Sequence, residues 1–201
     1  MRLGVLGGTF DPPHLAHLIH AEQAREQLAL DRVLWVPAAD PPHKQDMPIA
    51  SVEHRVTMVR LAIADHPAFE LSLIDVQRPG PHYSVDMLDE VARCFPGAEL
   101  FFLIGSDSLR DLPSWHNPTG LIIKATLAVM PRPGVQYDIT RLEVALPGLS
   151  NRLIPIDAPL LEISSRVLRS YVAAGRSIRY MVPRAVETYI SEHGLYRTTA
   201  G

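Results

Sequence analysis

Short apolar runs alternate with amphipathic segments along most of this chain. The segments at 15–28, 51–65, 84–95 and 183–193 repeat apolar residues at helical spacing, and 138–146 does so weakly. Strand, helix, strand in quick succession implies right-handed crossovers and parallel pairing. The pattern therefore predicts an α/β, three-layer, Rossmann-like open sheet, mainly parallel, with helices on both faces and five or six strands drawn from 3–6, 32–37, 69–76, 99–105, 125–130 and 152–156.

Composition and charge narrow the class of protein further. The chain has 201 residues, of which 47% are hydrophobic, enough for one core, so we predict a single domain over 1–201 with a helical part at about 160–201 packed on it. A net charge of -3 gives no general field for nucleic acid or membrane, and we expect neither as a partner. With one cysteine, Cys94, an internal disulfide is excluded, and we predict that Cys94 is buried. No signal peptide or membrane-spanning run is evident, which predicts a cytoplasmic protein.

The stretch 7–17, which reads GGTFDPPHLAH, predicts a strand, a glycine turn and a helix start. Gly7 and Gly8 allow a sharp turn close to a ligand, while His14 and His17 share one helical face. Unpaired N–H groups at a helix N-terminus favour an anion such as phosphate. The stretch matches neither the dinucleotide fingerprint nor the P-loop, so a dehydrogenase or P-loop NTPase is not supported. In the alternative interpretation, the histidines cap the helix or bind a metal with His20.

Two further stretches carry candidate binding residues. After the strand at 99–105, Asp107 either accepts from ribose hydroxyls, holds a metal through water or caps the next helix. Trp115 lies in a polar loop, where its ring can stack on an aromatic ligand. Near 163–169, Ser164 and Ser165 open a helix, and Arg169 lies close enough to bind phosphate; the alternative is a capped helix with a surface arginine.

The residue types favour phosphoryl chemistry without a base. No nucleophile and base pair stands out, and a phosphate monoester needs none, because it is already anionic at neutral pH. Two separate helix starts could hold a triphosphate from two sides. Catalysis would then consist of alignment and charge neutralisation by His, Lys, Arg and Mg²⁺.

These stretches resemble the motifs of one family. The stretch 7–17 resembles the signature G-G-x-F-x-P-x-H-x-G-H of nucleotidyltransferases that activate phosphorylated substrates with ATP or CTP, with Ala16 in place of glycine. The stretch 163–169 resembles the second signature, I-S-S-T-x-x-R, with Arg166 in place of Thr. P-P-H-K at 41–44, H-Y-S at 82–84, the segment 105–115, R-P-G at 132–134 and a final G-L-Y are similar to bacterial nicotinate-nucleotide adenylyltransferases. His116 departs from the Tyr often found there.

The resemblance implies a reaction and a set of site residues. The expected reaction transfers AMP from ATP to nicotinate mononucleotide, giving deamido-NAD and pyrophosphate, with Mg²⁺ held mainly by the phosphates and water rather than by protein ligands. It implies that the catalytic residues are His14, His17 and Arg169, and that ATP binds to Gly7, Gly8, Thr9, Phe10, His17, Gly105, Asp107, Ile163, Ser164, Ser165 and Arg169. It implies that nicotinate mononucleotide binds to Thr9, Lys44, Tyr83, Ser84, Trp115 and Arg132.

Alternative functions stay open at this point. A phosphopantetheine adenylyltransferase would be a related enzyme, although such chains are shorter and lack the H-Y-S and Trp115 elements. A non-catalytic nucleotide-binding sensor would keep the fold without turnover, and only Ala16 and Arg166 favour it. Lys44 could equally be a solvated loop lysine, and Ser84 a simple helix cap. The sequence is compatible with a homo-oligomer but does not determine it.

Overall fold

A computed structural model describes residues 1–39 and 49–197. Within them, six parallel strands form one sheet in the order β3-β2-β1-β4-β5-β6. This arrangement confirms the predicted α/β, Rossmann-like fold. The strands are β1 Arg2–Gly8, β2 Arg32–Pro37, β3 Phe69–Leu71, β4 Glu99–Gly105, β5 Thr126–Met130 and β6 Leu153–Pro155.

Helices connect the strands and cover the sheet. Short 3-10 turns at Leu112–Ser114 and Leu149–Arg152 supplement them. In the described part of the chain, the α-helices are α1 Leu15–Gln27, α2 Val52–Ala62, α3 Ile74–Gln77, α4 Ser84–Cys94, α5 Ser106–Asp111, α6 Pro118–Lys124, α7 Ile139–Ala145, α8 Ser165–Ala173 and α9 Arg184–Glu192. None of them is long and apolar enough to cross a membrane.

The core consists of two apolar layers, one on each face of the sheet. Strand β4 shows the division, because Phe101 and Leu103 join one cluster whereas Leu100, Phe102 and Ile104 join the other. Helices α1, α2, α8 and α9 contribute to the first cluster, and α4, α5, α6 and α7 contribute to the second. Every strand residue from 100 to 104 is buried, as expected for a parallel strand covered on both faces.

Three local predictions were wrong. The strand predicted at 69–76 ends at Leu71, because Asp75 turns inward to bind Arg78 and the chain forms α3 instead. Tyr83, rather than Ser84, is the N-cap of α4, and Ser84 is its first helical residue. Cys94 is exposed, because the last turn of α4 buries Val91 and turns Cys94 toward solvent.

The strand order places a crevice between two central strands. Strands β1 and β4 are neighbours. The chain continues from β1 to β2 on one side and from β4 to β5 on the other, toward opposite edges of the sheet. In open parallel sheets, ligands bind beyond the carboxyl ends of the strands at this point of reversal. The segments after Gly8 and Gly105 both begin there.

Candidate active site

A cavity of about 750 Å³ opens at the carboxyl ends of β1 and β4. Its size fits the range of small-molecule binding sites. Residues that lie far apart in the sequence meet in its wall, from the turn after β1, the start of α4, the loop after α5 and the turn after β5. Of the residues predicted from the sequence, it is lined by Gly7, Gly8, Thr9, Phe10, His17, Tyr83, Ser84, Gly105, Trp115 and Arg132.

The two signature histidines form one stacked pair. His14 is the extended N-cap of α1, and its ring lies 3.6 Å from that of His17 at an interplanar angle of 17°. The backbone N–H of His14 donates to Nδ1 of His17 at 3.2 Å. Because Nδ1 accepts this bond, neutral His17 carries its proton on Nε2 and presents it as a donor. The turn therefore fixes both the orientation and the tautomer of His17, which lines the cavity.

His14 lies behind His17 and is buried. Burial is the largest cause that lowers the pKa of His14 from 6.5 to about 3, and the charges of Arg132 and His20 add to it. At neutral pH the imidazole is therefore uncharged in the free protein. Its Nδ1 has no hydrogen-bond partner among the described residues. His14 therefore stacks on His17 as an uncharged imidazole, and its predicted catalytic role stays a prediction.

The lowered pKa of His14 predicts a loss of stability in mild acid. The unfolded chain binds this proton below about pH 6.5 and the folded protein only near pH 3, so the stabilisation is complete above 6.5 and falls as the pH decreases toward 3. At pH 5, His14 should account for a loss of about 2 kcal/mol. Urea unfolding at pH 7.5 and pH 5 should show a smaller drop for His14→Gln than for the unchanged chain. Equal drops would contradict the assignment.

Phe10 supports the pair from the signature turn. Its φ of 50° is in the left-handed region, and its buried ring meets the edge of His17 at 5.3 Å and packs against Trp35 at 5.3 Å. A Cβ at Gly8 would lie 3.1 Å from the Phe10 ring, closer than ordinary packing allows. Glycine at position 8 thus leaves room for the ring that holds His17 in place.

Asp107 faces Arg132, which lines the cavity, but is not itself part of the described lining. Oδ1 of Asp107 lies 3.6 Å from Nε of Arg132, and neither atom has a hydrogen-bond partner among the described residues. A Cβ at Gly105 would collide with Oδ1 of Asp107, so a larger residue at the end of β4 would require the Asp107 side chain to move. Gly105 is also the N-cap of α5, and Asp107 lies in its first turn. Asp107 is therefore not the helix cap, and its half-exposed side chain pairs with Arg132 through two atoms that are themselves buried.

Aromatic side chains line the far end of the cavity. The rings of Tyr83 and His116 stack at 4.0 Å, and Trp115 packs edge-on to Phe102 at 6.4 Å. Tyr83 and Trp115 are half-buried. Flat rings with one side packed and the other open can stack on an aromatic ligand. The structure brings Tyr83, Ser84 and Trp115 together, although the chain separates them by some thirty positions.

A buried charge pair that the sequence prediction missed holds this end in place. Asp75 binds Arg78 at 2.7 Å, and Arg78 donates to the carbonyl oxygens of Pro81 at 2.8 Å and Tyr83 at 3.1 Å. The backbone N–H of Ala39 donates to the other Asp75 oxygen at 3.0 Å. Asp75 therefore connects the segment after β2 with the start of α4. The i, i+3 spacing of Asp75 and Arg78 could have indicated an ion pair on a helical turn, but the strand predicted over 69–76 excluded a helix there.

The second predicted helix start meets the signature turn from outside the cavity wall. Ser164 caps α8 by accepting from the N–H of Val167 at 3.3 Å. Ser165 Oγ donates to the carbonyl of Pro12 at 2.9 Å, and Nη1 of Arg169 donates to the carbonyl of Asp11 at 2.8 Å. Ile163 packs half-buried against the core. These residues thus adjoin the signature but are not part of the described cavity lining.

Two more buried charges were missed by the sequence prediction. Arg55, which is 1% exposed, donates to the carbonyl oxygens of Thr9 at 2.9 Å, Ala38 at 2.6 Å, Ala39 at 2.9 Å and Ala50 at 3.1 Å. Asp11, also 1% exposed, accepts from the N–H of Ala50 at 3.3 Å. These contacts fix the signature turn against described residues on either side of the segment 40–48. Lys44 belongs to that segment and lies outside the described residues.

The described residues hold no group of three or more His, Cys, Asp or Glu side chains arranged for a metal ion. His20, the third histidine of the alternative interpretation, instead places Nε2 3.3 Å from the carbonyl oxygen of Pro159. Ala16 is fully buried in α1, and Arg166 is exposed on α8. Neither departure from the signatures alters the lining of the cavity.

Comparison with known proteins agrees with this geometry. The sequence profile of the cytidylyltransferase-like family matches residues 5–170. A probable nicotinate-nucleotide adenylyltransferase of Thermomicrobium roseum is 49% identical over 98% of this chain and 92% of its own. One from Thermus thermophilus is 48% identical over 98% and 100%. The solved structure of Plasmodium falciparum nicotinic acid mononucleotide adenylyltransferase complexed with NaAD matches with a TM-score of 0.79 at 19% identity, covering 97% of each chain.

The match to the family profile over residues 5–170 shows a nucleotidyltransferase of the cytidylyltransferase-like class, and the fold and the cavity agree with it. Sequence identity of nearly one half to the two bacterial relatives, over almost the full length of both chains, narrows the assignment to one family. This chain belongs to the nicotinate-nucleotide adenylyltransferase family.

Proposed function

We propose that this protein transfers AMP from ATP to nicotinate mononucleotide and releases pyrophosphate, forming deamido-NAD. The observation that carries the proposal is the composition of a single cavity. One part of its wall holds the signature turn with His17, and another holds the aromatic rings of Tyr83 and Trp115. A triphosphate suits the first and a pyridine ring the second. We also infer that residues 1–201 act as one nucleotidyltransferase domain.

The proposed reaction needs alignment rather than a base. A phosphate oxygen of the mononucleotide attacks the α-phosphorus of ATP, a new P–O bond forms, and the bond to pyrophosphate breaks as pyrophosphate leaves. His17 donates through Nε2–H to a phosphate oxygen, in the tautomer that its Nδ1 bond from His14 fixes. Arg169 supplies a positive charge from the other helix start, and Arg132 one near Asp107. Preorganised donors stabilise the charge in the transition state without rearrangement.

The remaining predicted residues are assigned to the two substrates. The backbone of Gly7, Gly8 and Gly105 lets the nucleotide approach closely, and Asp107 accepts from ribose hydroxyls. Mg²⁺ would enter with ATP and neutralise phosphate charge. Its water shell would find an acceptor in the half-exposed carboxylate of Asp107. We keep Lys44 as a proposed contact of the mononucleotide phosphate.

A substrate panel tests the proposed function. Pyrophosphate release is measured with Mg²⁺-ATP and, in parallel, nicotinate mononucleotide, nicotinamide mononucleotide or phosphopantetheine. We expect rapid turnover with the nicotinate compound and much slower turnover with its amide. Trp115→Leu tests where the pyridine ring binds. Loss of ring stacking should raise KM for the mononucleotide by roughly tenfold, while KM for ATP changes little.

Each contrary result has a defined meaning. Turnover only with phosphopantetheine would assign the protein to the related adenylyltransferases. ATP binding without pyrophosphate release from any pair would favour the non-catalytic sensor. An equal rise of both KM values in Trp115→Leu would contradict the placement of the pyridine ring.

A further inference from the structure

The last described segment of the chain reaches back to the signature turn. The hydroxyl of Tyr196 donates to Oδ1 of Asp11, 185 positions earlier. Burial is the largest cause that raises the pKa of this phenol, and the Asp11 carboxylate raises it further, so the hydroxyl keeps its proton. This contact has no part in the proposed mechanism as derived above.

The geometry that places Tyr196 is built into the end of α9. Val186 and Ile190 anchor α9 in the core, and the N–H of Leu195 donates to the carbonyl of Ile190 at 3.0 Å. Gly194 has a φ of 60° and Tyr196 a φ of 64°. A left-handed tyrosine is uncommon and costs free energy, so the surrounding contacts must hold it there. The bond to Asp11 is one such contact.

Asp11 stands between Tyr196 and Arg169. Its Oδ1 accepts from Tyr196, whereas its Oδ2 lies 3.6 Å from Nη1 of Arg169, too far for a hydrogen bond. The same Nη1 donates instead to the backbone carbonyl of Asp11 at 2.8 Å. A carboxylate and a guanidinium this close would ordinarily form a two-pronged pair. Here Oδ1 is already bound to the Tyr196 hydroxyl, and the backbone N–H of Ala50 lies 3.3 Å from Oδ1 and 3.4 Å from Oδ2.

We propose that Tyr196 is a positioning residue for catalysis, which restrains the Asp11 carboxylate and so keeps Arg169 available to the phosphates of ATP. Without the phenol, the carboxylate keeps only the long contact with the N–H of Ala50 and can rotate toward Arg169 to form the closer pair. The guanidinium then has fewer free donors and less net charge to offer a phosphate. This inference rests on the proposed function, in which Arg169 binds phosphate.

Steady-state kinetics of Tyr196→Phe test the inference, because this change removes only one oxygen atom. We expect KM for ATP to rise about fivefold, the size of one net hydrogen bond, while KM for nicotinate mononucleotide stays within about twofold. Tyr189→Phe is the matched control. Tyr189 also belongs to α9, and its hydroxyl lies 2.9 Å from Nδ1 of His54. Neither Tyr189 nor His54 lines the cavity. This control should lose a similar amount of stability with both KM values unchanged.

A double-mutant cycle separates positioning from simple structural support. In an Asp11→Asn chain, no carboxylate remains to capture Arg169, so adding Tyr196→Phe should leave KM for ATP unchanged. A full fivefold rise in that background would overturn the inference, as would equal rises in both KM values or an effect on urea unfolding alone. Inactivity of the unchanged chain with all substrates would instead overturn the proposed function. The two failures are therefore distinguishable.

Discussion

Replacing His17 with alanine should lower kcat by on the order of a hundredfold or more, with a smaller change in KM for either substrate. His17 lines the cavity, and its Nε2–H is directed by the bond from the His14 backbone. The lost interaction is with charge that develops in the transition state, so kcat rather than KM should carry most of the loss. Pyrophosphate release at saturating ATP and mononucleotide measures it.

The assigned tautomer makes a sharper version of this prediction. The amide nitrogen of glutamine can reach the place of Nε2, whereas that of asparagine lies near the place of Nδ1. His17→Gln should therefore retain about tenfold more activity than His17→Asn. His193→Ala, a change at an exposed histidine at the end of α9, should leave kcat unaltered. Equal activity of the glutamine and asparagine variants would show that Nε2 is not the donor.

The hydrophobic pattern was sufficient to predict the fold because the strands are short and buried on both faces. Strand β4, which reads ELFFLIG, has no polar interruption until it reaches the site, and its predicted bounds are those observed. Runs of this kind occur in parallel sheets, and the helices between them show the complementary amphipathic spacing. The pattern failed at 69–76, where Asp75 is buried and its long-range contact with Ala39 decides the local structure.

Cavity-lining residues could be predicted where glycines and histidines lie close together in the sequence. Gly7, Gly8 and His17 lie in one short stretch of the sequence, so a motif reveals them without any structure. Arg55 could not be found in this way, and the final G-L-Y motif that contains Tyr196 gave no indication of its partner. Each looks like an ordinary residue of an amphipathic helix or a terminal segment, and its partners lie 46 and 185 positions away. Only the packing of α2 and α9 against the signature turn brings these groups together.

Replacing Arg55 with methionine should lower the free energy of unfolding by about 3–5 kcal/mol. The side chain is buried and donates to carbonyl oxygens of three segments, the signature turn at Thr9 and the described residues on either side of the segment 40–48. Methionine fills a similar volume but leaves those oxygens without this donor. Buried acceptors that lose their donor cost the full desolvation penalty, since water cannot replace it. Urea unfolding at pH 7.5 measures the change.

The same substitution elsewhere on α2 provides the control. Arg60 is exposed on the same helix, so Arg60→Met should change the free energy of unfolding by no more than about 0.5 kcal/mol. Arg55→Lys keeps the charge but cannot reach several carbonyl oxygens at once, because an ammonium lacks the planar fork. It should lie between the unchanged chain and Arg55→Met. If lysine fully restored stability, the charge alone would be what this site requires, and the fork that joins the three segments would not be the cause.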